Sequence, residues 1–322
     1  MSALMYLLSL GGFVLLFGGG EWLVRGAVIV ARRFGISPLL IGMTIVAFCT
    51  SAPELIVSVS AALEGRAAIS VGNVVGSNIA NILLILGASS LVAPIVFKPA
   101  ELRRDTAVML GSTALLVALS LTGDIGRASG ALMVFLLLIY IVYSYRSEAA
   151  GLSPAAELHE HEAEEFDSTP QQMWRGVFYL VGGLGALVLG SRWLIDGASA
   201  IAETFGVPEA VVGLTIVAVG TSLPELATSL VAAVRGHSDV AVGNVVGSNI
   251  FNILSILGIT AIITPIPVVE QIARFDVWVM LGVTVLLVPF LVRSGRIGRR
   301  AGMVSLALYI GYTATLYLGI AG

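Results

Sequence analysis

The chain contains two copies of one segment. The 54 residues from Gly42 to Ile95 align without a gap with the 54 residues from Gly213 to Ile266, at a constant offset of 171, and 31 of the 54 positions are identical. The identities include polar residues as well as apolar ones, so shared hydrophobicity does not explain the match. This internal duplication constrains the fold strongly, because both copies must adopt similar local structure.

Both copies lie in a strongly apolar chain. Of its 322 residues, 57% are hydrophobic and 11% are charged, and the mean hydropathy is +0.98. Soluble domains carry about 25% charged residues, so this composition predicts an integral membrane protein. The net charge of -3 gives no reason to expect a nucleic-acid partner. The single cysteine, Cys49, excludes an internal disulfide and a cysteine-based metal cluster.

Segments long enough to cross a bilayer occur ten times. A spanning helix needs about 20 mostly apolar residues. By this measure the predicted spans are 4–24, 38–63, 70–94, 106–122, 129–145, 174–200, 209–234, 241–265, 276–292 and 302–320. The predicted fold class is therefore an all-α integral membrane protein with ten transmembrane helices, embedded in the lipid bilayer.

The ten spans divide into two repeats, 1–146 and 173–322, with five spans in each. Because five is an odd number, the second repeat must enter the membrane from the opposite face, which predicts inverted-topology repeats. The polar segment between them, 147–172, carries seven acidic residues and two histidines. We expect a solvated cytoplasmic linker. A regulatory cation site is the alternative, although the segment lacks the ligand spacing of an EF-hand.

The basic residues predict the orientation. If the N-terminus lies outside, thirteen of the 17 Lys and Arg residues fall at cytoplasmic ends of the spans. Arg66, Arg127 and Arg274 fall outside, and Arg192 lies within the sixth span. Positive residues are concentrated in cytoplasmic loops, so both termini are predicted to face the outside of the cytoplasmic membrane.

Each copy carries a proline followed by a glutamate inside a predicted span, in the sequences TSAPE at 50–54 and TSLPE at 221–225. A proline inside a helix removes one N–H and displaces a carbonyl, so helices 2 and 7 are predicted to be kinked. A freed carbonyl at this depth needs a partner, and a cation is one available partner. The hydroxyls three and four residues before each glutamate share its helical face. The predicted oxygen ligands of the two motifs are Thr50, Ser51, Glu54, Thr221, Ser222 and Glu225.

Polar residues spaced by four form a stripe on the third span and another on the eighth. The stripes are Asn73, Ser77 and Asn81, and Asn244, Ser248 and Asn252. Amide and hydroxyl oxygens suit a dehydrated cation, so we expect the stripes to face a binding site; helix packing through interhelical hydrogen bonds is the alternative. Asn78 and Asn249 lie on another face, where we expect such packing.

The charges of the candidate site favour a divalent cation. A carboxylate inside the membrane is costly, by about 2.5–3.5 kcal/mol on insertion scales. The structural alternative is a protonated or salt-bridged glutamate, but the adjoining helix segments contain no Lys or Arg. Two carboxylates neutralise one divalent cation, and ligands that are all oxygens favour Ca²⁺ or Na⁺. The pattern therefore predicts transported ions rather than a resident cofactor.

At these residues the chain resembles a known family. TSAPE with GNVVGSNIAN, and TSLPE with GNVVGSNIFN, are similar to the paired alpha-repeats of the cation/calcium antiporter superfamily, in its prokaryotic sodium/calcium exchanger branch. The resemblance implies an antiporter in which Glu54 and Glu225 bind Ca²⁺ and share in binding Na⁺. It also implies flanking Na⁺ sites that use the side chains of Ser51, Ser77, Ser222 and Ser248 and the backbone carbonyls of Ala47, Thr50, Ala218 and Thr221.

Four positions refine the resemblance. The proton/calcium branch usually places an acid in the second motif, where this chain has Gly76 and Gly247. Potassium-dependent members carry Asp at the position of Asn252, so its Asn argues against K⁺ co-transport. Cys49 replaces the glycine usual before Thr-Ser, which Gly220 retains.

Other functions remain as alternatives. An intramembrane hydrolase would leave the repeat unexplained, and no histidine lies within a predicted span. A channel is disfavoured because inverted repeats are typical of transporters. Within transporters, the alternative is a proton-coupled Ca²⁺ antiporter. We expect a non-enzymatic exchanger that works as a monomer, with H⁺ as a competitor of Na⁺ and Ca²⁺.

Overall fold

The structure, a computed structural model, describes residues 2–34, 47–149, 173–235 and 238–319. Most of the predicted linker at 147–172 lies outside these residues, as does the first part of the predicted second span. The helices before the linker are α1 (Ser2–Arg33), α2 (Ala47–Thr50), α3 (Ala52–Leu63), α4 (Ala67–Ala80), the π-helix π1 (Asn81–Ile85), α5 (Leu86–Val92), α6 (Pro99–Ser120) and α7 (Arg127–Ala149).

The second half follows the same order. Its helices are α8 (Met173–Phe205), α9 (Glu209–Val212), π2 (Gly213–Val217), α10 (Ala218–Thr221), α11 (Leu223–Arg235), α12 (Ser238–Phe251), π3 (Asn252–Leu257), α13 (Gly258–Ile263), π4 (Ile272–Asp276), α14 (Val277–Pro289), π5 (Phe290–Ser294) and α15 (Arg299–Tyr317). Four two-residue strands, absent from the sequence prediction, are β1 (Ile95–Val96), β2 (Asp124–Ile125), β3 (Ile266–Pro267) and β4 (Arg296–Ile297).

Six helices of the described ranges are long and apolar enough to cross a membrane. They cover Met5–Ala31, Ala67–Val92, Arg127–Ser147, Met173–Ala200, Val240–Ile263 and Ile272–Ser294. A seventh span results if Glu209–Thr221 and Leu223–Val234, which meet at 48°, are counted together. The predicted fourth and tenth spans are helical, at Pro99–Ser120 and Arg299–Tyr317, but are not among these six. The chain is thus a predominantly helical membrane protein.

The longest helices, α1 and α8, pack as an antiparallel pair through glycines. A Cβ atom on Gly12 would lie 2.8 Å from the Gly190 carbonyl oxygen, and one on Gly26 would lie 2.7 Å from that of Gly176. Gly19 meets the Gly183 carbonyl in the same way. Small residues let helix backbones approach closely in membranes. Because these glycines recur every seven residues on both helices, the close approach continues along most of the pair.

The strands link the two halves at two places. Strand β1 pairs antiparallel with β4, and β2 pairs antiparallel with β3. Helix α6 runs from β1 to β2, whereas the continuous helix π4–α14–π5 runs from β3 to β4. The two helices therefore run in opposite directions between the same two strand pairs.

A tyrosine binds an aspartate at equivalent places in both halves. Tyr140 Oη donates to Asp105 Oδ1 at 3.1 Å, and Tyr312 Oη donates to Asp276 Oδ1 at 2.8 Å. Arg104 also donates to Asp105, from Nε at 2.6 Å. Sequence analysis had not identified these pairs, which join α6 to α7 and π4 to α15.

Candidate functional site

Both glutamate motifs interrupt a helix at the serine. Helix α2 ends at Thr50 and α3 begins at Ala52, while Ser51 between them has φ -84° and ψ 7°. At the equivalent position Ser222 has φ -84° and ψ 10°. Each proline therefore stands in the first turn of a new helix, where its missing N–H costs little. The glutamates lie in the same first turn, at the end of a helix that favours negative charge.

Two asparagines hold the new helices in place. Asn73 Nδ2 donates to the Glu54 carbonyl at 3.2 Å and to Ser58 Oγ at 2.9 Å. Asn244 Nδ2 makes the equivalent bonds to the Glu225 carbonyl at 3.3 Å and to Ser229 Oγ at 3.0 Å. These first members of the predicted stripes thus use their amide groups to position the glutamates.

Three hydrogen bonds join the halves at the predicted ligands, and one of them reaches the carboxyl group of Glu54. Ser222 Oγ donates to Glu54 Oε1 at 3.1 Å, and Thr221 Oγ1 donates to Asn73 Oδ1 at 3.1 Å. Ser77 Oγ reaches the carbonyl of Ala218 at 3.4 Å. The structure therefore brings predicted ligands from both repeats to one buried place.

The two carboxyl groups are fully enclosed. The exposed fraction is 0% for Glu54 and 1% for Glu225. Neither forms an ion pair with a basic side chain in the part of the chain that the structure describes. A buried charge without a partner is costly, so this arrangement is suited to a bound cation.

Several buried polar atoms at the site have no hydrogen-bond partner among the described residues. They are Oε2 of Glu54, both carboxylate oxygens of Glu225, Oγ of Ser51, Oδ1 of Asn81, and Oδ1 and Nδ2 of Asn252. Native proteins leave few buried polar groups unpaired, and unpaired oxygens that cluster in this way are typical of a ligand site. Most of these atoms are oxygens with free lone pairs, the ligands that Ca²⁺ and Na⁺ require.

An amide contact joins the stripes across the repeats. Asn81 Nδ2 donates to Asn249 Oδ1 at 3.0 Å, and Asn249 Nδ2 contacts Met109 Sδ at 3.8 Å. Asn249, expected to take part in packing, thus makes an interhelical hydrogen bond to a predicted ligand. The amide atoms of Asn78, its equivalent in the first repeat, are buried without a partner among the described residues.

A π-helix begins at the last asparagine of each polar stripe. These wider helices start at Asn81 and at Asn252, and in the first the Leu86 N–H donates to the Asn81 carbonyl, five residues back. Single π turns are often found at functional sites, because they change the direction of the side chains that follow. No feature of the sequence analysis predicted them.

The remaining predicted ligands are Thr50, Ser248, Ala47 and Ala218. Thr50 and Ser248 are buried, but Ser248 has no hydrogen bond to the other predicted ligands within the described ranges. The side chain of Ala47 lies outside the described residues, while its backbone begins α2. Ala218 accepts from the Ser222 N–H at 3.1 Å and from Thr221 Oγ1 at 3.2 Å.

The glycine of the second motif in the first repeat is tightly packed, because a Cβ atom on Gly76 would overlap the backbone of Leu214. A Cβ atom on Gly247 would meet no atom of the described residues within 4 Å, and Met43, the residue equivalent to Leu214, lies outside those residues. An acidic side chain therefore does not fit at Gly76 without moving π2 away.

Comparisons with known proteins give consistent results. The family model described as "Sodium/calcium exchanger protein" matches residues 4–146 and 175–318. The "Putative antiporter CaxA" of Alkalimonas amylolytica is 41% identical over 95% of this chain and 96% of its own length. The "Sodium/calcium exchanger MaX1" of Methanosarcina acetivorans is 32% identical over 98% of this chain and 99% of its own length.

Two further similarities bear on location and fold. The "Inner membrane protein YrbG" of Escherichia coli is 36% identical over 95% of this chain and 94% of its own length. Among solved structures, the sodium-calcium exchanger NCX_Mj, in a structure described as soaked with 2.5 mM Na⁺ and 0.1 mM Ca²⁺, superimposes with a TM-score of 0.65 at 31% identity, covering 98% of this chain and 99% of that one.

Proposed function

The chain belongs to the sodium/calcium exchanger protein family, and we propose that it is a secondary active antiporter that exchanges Na⁺ for Ca²⁺ by alternating access. Its relatives are transporters and exchangers, so the chain is an ion-transport protein and not an enzyme. The observation that carries the proposal is the pair of enclosed carboxyl groups, Glu54 and Glu225, whose free oxygens face no basic residue of the described chain.

The proposed architecture has ten spans in two inverted five-helix repeats, 1–146 and 173–322, with 147–172 as a cytoplasmic linker. Three observations support it: the offset of 171, the matching helix interruptions at Ser51 and Ser222, and the opposite directions of α6 and α14 between the same strand pairs. In this architecture the broken helices are the second and the seventh, and both termini face outside the cytoplasmic membrane. The protein works as a monomer.

The proposed site is shared by both ions. Ca²⁺ lies between Glu54 and Glu225, and Na⁺ uses the same carboxylates with neutral oxygens beside them. The remaining proposed ligands are the side chains of Ser51, Ser77, Asn81, Ser222, Ser248 and Asn252 and the carbonyls of Ala47, Thr50, Ala218 and Thr221.

Charge balance couples the two ions. The site has two full negative charges, so one Ca²⁺ neutralises it, and Na⁺ beside bound Ca²⁺ would leave positive charge in a medium that stabilises ions poorly. Without an ion, the two carboxylates repel each other, which disfavours crossing unloaded. At acidic pH protons occupy the carboxylates instead, so exchange slows as the pH falls. No cofactor is needed besides the transported ions.

The test is uptake of radiolabelled Ca²⁺ into proteoliposomes. We expect uptake when the liposomes are loaded with Na⁺ and placed in Na⁺-free buffer, and none when they are loaded with choline. A pH gradient without Na⁺ should drive no uptake. Uptake driven by protons alone would instead favour the second candidate, a proton-coupled Ca²⁺ antiporter.

A further inference from the structure

An apolar groove runs along the molecule near the β1–β4 strand pair. It encloses about 330 Å³ between the end of the third predicted span and the last two helices. Its walls include Ile82, Leu86, Leu286 and Phe290, and the polar residues among its lining are Arg300 and Ser305. The groove therefore offers a long apolar surface that ends beside one positive charge.

Four arginines lie in the short stretch of chain, 293–300, that contributes Ile297 and Arg300 to this groove. They are Arg293, Arg296, Arg299 and Arg300, and no acidic residue follows Asp276 in the sequence. Arg299 is engaged, since it donates to the carbonyls of Leu91 and Val92 at 3.0 and 3.3 Å. The other three have no ion-pair partner among the described residues. Among the described residues, the positive charge of Arg300 at this end of the groove is therefore not neutralised.

A second apolar cavity contains an arginine that is already paired, unlike Arg300. It encloses about 460 Å³ and is lined by Arg104, Tyr140 and Leu254 among others. Its arginine, however, donates to Asp105 at 2.6 Å and lies over the Tyr140 ring. An apolar cavity with a neutralised arginine has no preference for an anion, so the two cavities differ in their expected ligands.

We propose that the groove beside Arg300 binds one anionic phospholipid. An acyl chain lies against Leu286 and Phe290, and the phosphate accepts hydrogen bonds from Arg300, with Arg296 and Arg293 adding positive charge around it. Basic pockets between transmembrane helices bind anionic head groups in this way, mainly at the cytoplasmic leaflet, which is negatively charged. The predicted orientation places this arginine-rich loop at that leaflet. The proposal does not depend on which ions the protein exchanges.

The test is lipid binding to the purified full-length protein by native mass spectrometry. The probes are phosphatidylglycerol, phosphatidylcholine with the same acyl chains, and free glycerol 3-phosphate. We expect phosphatidylglycerol to bind more tightly than phosphatidylcholine, and glycerol 3-phosphate not to displace it. Arg300→Gln should weaken phosphatidylglycerol binding about fivefold, the effect of one basic residue near an anionic lipid.

Two variants separate the parts of the site. Arg146→Gln removes an exposed arginine from the same predicted side of the membrane, away from the groove, and should leave lipid binding unchanged. Ala301→Phe should weaken binding without altering charge, because the larger side chain fills the groove. Equal affinity for the two lipids, or equal losses in Arg300→Gln and Arg146→Gln, would overturn the proposal. Displacement by glycerol 3-phosphate would also overturn it, since the site would then bind a free anion.

Discussion

The two halves of the candidate site share a motif but differ in their hydrogen bonds. Glu54 accepts from Ser222, whereas the equivalent donor for Glu225, Ser51 Oγ, has no partner in the described structure. Asn81 donates to Asn249, whereas the equivalent amide of Asn252 is unpaired within the same residues. The duplicated sequence therefore does not produce a symmetric set of contacts.

The backbone support of the two glutamates, by contrast, is the same in both halves. Asn73 and Asn244, which hold the backbone of the two glutamates, make the same bonds in both halves. The second half is also more open, since Pro224 and Asn244 are partly exposed whereas Pro53 and Asn73 are buried. The comparison teaches that the asparagine bonds to the two glutamate helices are symmetric, whereas the hydrogen bonds of the carboxyl groups and of Asn81 and Asn252 are not. For an inverted-repeat transporter, we expect the opposite access state to exchange the roles of the two halves.

The largest expected effect comes from neutralising either carboxylate. Glu54→Gln and Glu225→Gln should each abolish Ca²⁺ transport while the protein stays folded, because a divalent ion is then left uncompensated in a low-dielectric site. Removing one partner of a buried charge pair costs about 2–5 kcal/mol, a loss of at least about thirtyfold in affinity. The measurement is Ca²⁺ uptake in proteoliposomes, with the exposed Glu209→Gln as the control.

The outcome also sharpens the comparison of the halves. Equal losses would mean that both carboxylates hold the ion despite their different hydrogen bonds. Wild-type uptake in either variant would remove that glutamate from the site.

The next effect concerns competition between the ions. Apparent Ca²⁺ affinity of the purified protein should fall steadily as Na⁺ rises, without a plateau, because both ions need the charges of Glu54 and Glu225. The measurement is equilibrium Ca²⁺ binding across a Na⁺ titration. An affinity that does not change with Na⁺ would mean that the two halves bind different ions independently.

A smaller effect distinguishes the two serines. Ser222→Ala should lower the free energy of unfolding of the ion-free protein by about 1.5–3 kcal/mol, the contribution of a hydrogen bond to a charged group. Ser51→Ala, the matched control, removes a hydroxyl without a partner in the described residues and should change the stability little. Thermal unfolding in detergent at neutral pH measures both. Equal losses in the two variants would show that the asymmetry is not a property of the ion-free protein.

The smallest expected effect is that of potassium. Exchange should continue at an unchanged rate when choline replaces K⁺, because Asn252 is neutral where potassium-dependent relatives carry a carboxylate. Asn252→Asp is the change most expected to alter the cation dependence. A strict K⁺ requirement of the wild-type protein in liposomes would contradict this interpretation.

The sequence predicted membrane spans, the Pro-Glu motifs and the polar stripes, because each depends on local spacing. The π turns at Asn81 and Asn252 were not predictable, since an apolar run such as NILLIL is compatible with both helix types. The interhelical hydrogen bonding of Asn249 was expected, but its partner, Asn81, was not. Asn249 does not lie on the polar stripe of its own helix, but it meets Asn81, which belongs to the stripe of the first repeat. The pairs Asn81–Asn249 and Asn252–Asn78 are equivalent in the sequence, yet only the first forms a hydrogen bond among the described residues. Which pair bonds depends on the conformation, and the sequence pattern does not specify it.

The glycine contact between α1 and α8 has a consequence for assembly. At the offset of 171, Gly12 is equivalent to Gly183 and Gly19 is equivalent to Gly190. The contact between Gly12 and Gly190 is therefore equivalent to the contact between Gly183 and Gly19, with the two repeats exchanged. An interface of this kind is isologous, like that of a two-fold homodimer. A half-length chain therefore carries both sides of the contact, and two such chains inserted in opposite orientations would meet in the same register. The linker between the repeats keeps together two units that already match without it.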